Sequence, residues 1–108
     1  ADGVPAPTAT PAQRTERRLR RALAARGLDE AITWSFLPPA DAARFGGAAF
    51  NLANPISADM AAMRPSLLPG LIAAAARNAA RGAASVRLFE IGKRYLADGE
   101  RPTAALVL

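Results

Sequence analysis

Apolar residues recur at helical spacing in two stretches of the chain and at strand spacing in several shorter ones. In the first helical stretch Leu19, Ala22 and Leu23 form an apolar stripe, and Arg14, Arg17, Arg18 and Arg21 line the other side. Its start has the residues of a capping box: Thr10 as the cap, Pro11 at the first helical position and Gln13 as the reciprocal side chain. The helix runs to about Arg26, and Gly27 is its expected stop. In the second stretch Leu68, Leu71, Ile72, Ala75, Ala76 and Ala79 repeat at three and four residues. Pro69 belongs in the first turn of that helix, and Gly82 ends it.

Between the helices, Ala31 to Leu37 alternates as a strand, with Ile32, Trp34 and Phe36 on one face and Thr33 and Ser35 on the other. Pro38 and Pro39 stop it. One or two helical turns are expected over 39–45, and a short strand over 49–53, stopped by Asn54-Pro55. The stretch 57–64 is ambiguous: Ser57 would cap a turn carrying Met60 and Met63. After the second helix, Ser85 to Ile91 reads as a strand with Val86 and Leu88 on one face and Phe89 and Ile91 on the other. A strand apolar on both faces is usually central and covered on both sides. Gly92 interrupts this strand and Lys93 to Leu96 continues it. Asp98-Gly99 signals a hairpin, and Thr103 to Leu108 a returning strand.

The fold class expected from these elements is α+β, an antiparallel sheet with flanking helices. Residues 1–12, with Pro5, Pro7 and Pro11, read as a linker ahead of a domain over 13–108. The apolar strand at the end of the sequence reads as a truncated half-domain. Such a piece should expose apolar surface and an open strand edge, and should self-associate.

Composition narrows the chemistry. The 108 residues contain neither cysteine nor histidine. This excludes disulfides, thiolate nucleophiles, zinc sites of nitrogen or sulfur ligands, and histidine-based catalysis. Ser66 lies near Arg64 without a base to activate it. The lack of cysteine fits a cytoplasmic protein, and the longest nearly uncharged stretch, 66–76, is too short to span a membrane. Fourteen basic residues, all but one of them arginine, stand against nine acidic ones, a formal charge of +5. A basic domain is drawn to phosphates and acidic surfaces. Arg14, Arg17, Arg18 and Arg21 are therefore either a solvated face or a contact with phosphates or another partner. With no aromatic residue among them, such a contact would be salt-sensitive and blind to sequence. Glu90, inside an apolar strand, needs a partner. Arg64, Arg87 and Arg94 are the candidates, and a structural pair with Arg64 is expected.

Four segments carry a resemblance. They are Gly27-Leu28-Asp29-Glu30-Ala31-Ile32-Thr33-Trp34-Ser35-Phe36; Asn54-Pro55-Ile56-Ser57-Ala58-Asp59-Met60; Met63-Arg64-Pro65-Ser66-Leu67-Leu68-Pro69-Gly70-Leu71; and Val86-Arg87-Leu88-Phe89-Glu90-Ile91-Gly92-Lys93. In this order and spacing the chain, from about Thr15 to Leu108, resembles the core domain of the bacterial phenylalanyl-tRNA synthetase beta chain. The resemblance implies the first half of a degenerate class II synthetase fold that is catalytically silent. In such enzymes the alpha chain holds ATP and phenylalanine, and the beta core packs against it in an (αβ)₂ assembly acting on tRNA. The family's magnesium-associated carboxylates and editing site lie upstream of this region, so no catalytic, cofactor or metal residue is carried over. Class II catalysis also needs an arginine two residues before an acid on a strand. Here Arg87 precedes Glu90 by three, which turns it to the opposite face.

The apolar side of the second helix reads as core from its pattern. The resemblance raises a subunit-interface reading for its N-terminal part, giving Met60, Met63, Leu67, Leu68, Leu71 and Ile72 as interface candidates. The function expected is a non-catalytic assembly role with the alpha chain. The alternative is a basic tRNA-binding module acting through the first helix. An independent small enzyme has least support, because no coherent carboxylate pair accompanies the missing histidine and cysteine.

Overall fold

A computed structural model describes residues 8–52 and 58–108. Helix α1, Pro11–Ala25, begins on the expected capping box: the Gln13 N–H donates to the Thr10 hydroxyl at 3.1 Å and the Thr10 N–H to the Gln13 side chain at 2.9 Å. Pro11 and Ala12 are thus helical rather than linker. Of the expected apolar stripe, Leu23 is buried and Leu19 half-buried, whereas Ala22 is exposed.

The expected strand over 31–37 is split. Residues Asp29–Glu30 form β1 and Phe36–Leu37 form β2, in two different sheets. Between them the chain crosses from one sheet to the other. Ala31 still donates its N–H to Phe89 at 2.8 Å, and then Thr33 is drawn inward to Glu90. A short helix α2, Pro39–Ala43, follows. The strand expected over 49–53 reduces to one bridge, between Asn51 and Ala62. Ala53, the Asn54-Pro55 stop and the Ser57 cap lie outside the described residues. A 3-10 turn, Ala58–Met60, leads into β3, Ala62–Met63, which pairs antiparallel with β2. Leu37, Ala42 and Ala62 pack there into a small core of their own.

Helix α3, Leu68–Ala80, has Pro69 in its first turn. It buries Leu71 and Ala74 and leaves Ile72, Ala73, Ala76 and Ala79 exposed. The buried stripe is therefore rotated away from the expected one; a helix rich in alanine all round does not mark its inner face by pattern. Strand β4, Leu88–Leu96, runs unbroken through Gly92. It pairs antiparallel with β5, Gly99–Val107, through a tight turn.

The main sheet has the order β1-β4-β5, and β1 lies parallel to β4. The class is α+β as expected, but this sheet is mixed rather than antiparallel. Strand β4 is central and covered on both faces. Phe89 packs with Leu23, Leu28, Leu19 and Ile91 on the α1 side. Leu88 packs with Leu71, Ala74 and Val86 on the α3 side. No helix among the described residues is long and apolar enough to cross a membrane.

Candidate functional site

Three of the four quoted segments converge on one buried polar knot. Glu90 projects from β4 on the α3 side and Arg64 follows β3, and they are 3% and 5% exposed. Arg64 Nη1 donates to Glu90 Oε2 at 3.3 Å. Both carboxylate oxygens are also engaged by Thr33, whose backbone N–H donates to Oε2 at 3.0 Å and whose hydroxyl donates to Oε1 at 2.7 Å. The same hydroxyl accepts from Arg64 Nη1 at 3.1 Å. Arg64 Nε donates to the Lys93 carbonyl at 2.8 Å. The Arg64 backbone also bridges the sheets: its N–H donates to Ser35 at 2.9 Å and its carbonyl accepts from Tyr95 at 2.9 Å. A buried ion pair persists when its spare donors and acceptors are satisfied in this way.

The knot also explains two glycines. A Cβ on Gly92 would sit 2.6 Å from Arg64 Nη2, and one on Gly70 would sit 2.7 Å from the Thr33 hydroxyl. The resemblance segments thus carry packing as well as charge: Thr33, Arg64, Gly70, Glu90 and Gly92 occupy one volume. Of the other candidate partners for Glu90, Arg87 is exposed and Arg94 has a buried Nε without a hydrogen-bond partner.

Anchoring Thr33 inward leaves its neighbours outward. Ile32 is 88% and Trp34 77% exposed. Beside them, a groove of ≈ 350 Å³ is lined by Trp34, Met60, Pro69, Ala73 and Arg77. Ile72 stands on α3 at 49% exposure. Met60, Met63 and Leu68 are half-buried. Leu67 and Leu71 are 1% and 0% exposed, so the chain's own core takes them and they offer no outer surface. Only part of the expected interface set therefore faces outward. Ile32 and Trp34 also face outward, an exposure that the strand alternation of residues 31–37 does not mark.

The α1 arginines lie elsewhere. Arg14, Arg17, Arg18 and Arg21 are exposed, and none forms an ion pair with another described residue. Arg14 donates to the Ala9 carbonyl at 2.5 Å. Arg20, on the flank of the helix, pairs with Glu30 at 2.9 Å and Glu16 at 3.0 Å. Those hydrogen bonds, Glu30 first, hold its guanidinium above the ordinary arginine pKa. No group of three or more acidic residues is placed to hold a metal ion among the described residues.

The sequence profile of the family described as "Phenylalanyl tRNA synthetase beta chain CLM domain" matches residues 3–108. A phenylalanine–tRNA ligase beta subunit from Novosphingobium aromaticivorans is 64% identical over 115 aligned positions, covering 100% of this chain and 14% of that protein. The beta subunit from Zymomonas mobilis is 61% identical over 106 positions, covering 98% of this chain and 13% of its own length. That of Rhodospirillum rubrum is 57% identical over 96 positions, covering 87% and 12%. The chain spans about one-seventh of the length of the curated relatives it matches.

Proposed function

The chain belongs to the phenylalanyl-tRNA synthetase beta chain family, and from that premise we propose that it is a non-catalytic scaffold of phenylalanine–tRNA ligase. Its role is to assemble with the alpha subunit, which attaches phenylalanine to its tRNA using ATP and magnesium in the cytoplasm. The observation that carries this reading is the fate of Glu90. Both of its oxygens are engaged by Arg64 and Thr33 in a closed site, so it has no free edge to position a nucleotide or an amino acid. Arg87, which would have to grip phosphate beside it, is exposed and lies just ahead of β4, outside the strand that carries Glu90. These residues do not fit ATP. The arrangement of β4 and β5 between α1 and α3 is compatible with half of a class II scaffold that has kept its frame.

Support for the assembly role comes from the outward surface around the knot. Ile32 and Trp34 line the groove and flank Thr33, which is fixed from beneath, and Ile72 is exposed on α3 in a second pocket that shares Pro69 and Ala73 with the groove. Exposed, pre-positioned aromatic and aliphatic side chains suit a subunit contact. The test is co-purification of the alpha chain with intact beta chain carrying Ile32→Asp and Ile72→Asp. Loss of the complex with unchanged circular dichroism is the expected result. Undiminished assembly would remove this surface from the interface.

A further inference from the structure

We propose that the outer face of α1 is a contact surface for the phosphate backbone of RNA, made by Arg14, Arg17, Arg18 and Arg21. The choice of RNA among polyanions rests on the family reading above; the charge argument does not. Spacings of three, one and three residues put the four on one side of the helix. From Arg14 to Arg21 the helix rises about 10 Å. The opposite side of the helix is seated on the sheet through Leu19 and Leu23, so the arginine face points away from the body of the domain.

The distribution of charge along α1 works against the helix itself. Arg14–Arg17, Arg14–Arg18, Arg17–Arg21 and Arg18–Arg21 are like-charged neighbours at three- or four-residue spacing, and each opposes helix formation. The first turn contains no acidic residue to complement the helix dipole. A face that is merely solvated gains by mixing signs. The flank of this same helix does so, where Arg20 sits between Glu16 and Glu30. Among the described residues no acid pairs with any of the four arginines, and a row of phosphates relieves all four repulsions at once. Planar guanidinium groups bind phosphate oxygens in pairs. No aromatic side chain lies on α1 to stack a base, so the contact reads backbone and not sequence.

The experiment measures anisotropy of fluorescently labelled tRNA titrated with the chain across a salt series. Four phosphate contacts give a log–log slope of about −3.6, so affinity falls about a hundredfold between about 50 and 200 mM salt. Replacing all four arginines with glutamine should abolish binding at low salt while helix content by circular dichroism is kept or rises. Four Arg→Lys substitutions should keep most of it. Binding indifferent to the glutamine variant, or to salt, would overturn the proposal, as would polyglutamate competing as well as tRNA at equal charge. Assembly of the glutamine variant with the alpha chain should be intact, so loss of RNA contact and loss of the assembly role are read separately.

Discussion

Arg64 and Glu90 meet at 3.3 Å where their side chains are only 6% and 3% exposed, and each comes from a different sheet's neighbourhood. Breaking such a pair from one side leaves an uncompensated buried charge, which costs about 3–5 kcal/mol. Arg64→Met and Glu90→Leu should each lower stability by that order in urea denaturation. The double variant should lose clearly less than the sum of the two. Additive losses would mean that the two side chains contribute independently.

Gly70 and Gly92 should resist even alanine. The atoms a Cβ would meet, Thr33 Oγ1 at 2.7 Å and Arg64 Nη2 at 2.6 Å, belong to side chains pinned by the knot and unable to swing aside. Overpacking of this kind costs about 1–3 kcal/mol. The check is a double-mutant cycle: Gly70→Ala should be better tolerated when Thr33→Ala has removed the nearest opposing atom, the hydroxyl at 2.7 Å, leaving the Thr33 Cβ at 3.0 Å. A Gly70→Ala cost unchanged in that background would place its origin elsewhere.

The helices and the central strand were legible because each rests on local chemistry. The Thr10–Gln13 box, Pro69 in a first turn, and β4 apolar on both faces all appear where the pattern put them. The Arg64–Glu90 pair was legible for a different reason: an acid in an apolar strand demands a cation, and few were near. The stretch 31–37 was not legible. Its alternation is real, but tertiary contacts use it to turn Thr33 inward and expose Ile32 and Trp34, and only its two ends, Ala31 and Ser35, make backbone–backbone hydrogen bonds to neighbouring segments among the described residues. The buried face of α3 was misjudged because alanine gives helical periodicity without direction. The space needed at Gly70 and Gly92 depends on residues 37 and 28 positions away in sequence, beyond any local rule.

Trp34 is the chain's one tryptophan and is 77% exposed, so its fluorescence reports this surface alone. Free chain should emit with the red-shifted maximum of a hydrated indole and be readily quenched by acrylamide. Adding the alpha chain should shift emission to the blue and protect it from quencher. Glu90→Gln, which weakens the anchor on Thr33, should lower steady-state anisotropy of Trp34 in the free chain. Unaltered emission in a formed complex would show that the contact lies elsewhere.

Strand β5 presents the last expectation, and the direction of its backbone groups makes it specific. On the side of β4 away from β5, Tyr95 donates to Arg64, and Phe89 accepts from Ala31. Odd-numbered residues of β4 therefore turn their backbone groups away from β5, and even-numbered ones toward it. The register pairs Leu88 with Val107 and Glu90 with Ala105, so the even-numbered residues of β5 point to the edge that no strand among the described residues pairs. Pro102 falls in that outward set, where a missing N–H costs the hairpin nothing and interrupts the edge. Beyond it the edge is unguarded, with Leu106 43% and Leu108 78% exposed. The chain should therefore self-associate at high concentration through residues 104–108, more strongly as salt screens its +5 charge. Ala104→Pro removes only an outward N–H and should yield a monomer of near-normal stability by light scattering. Ala105→Pro removes a bond to β4 and should unfold the hairpin instead. A wild-type chain that stays monomeric under these conditions would mean that the open edge does not drive association.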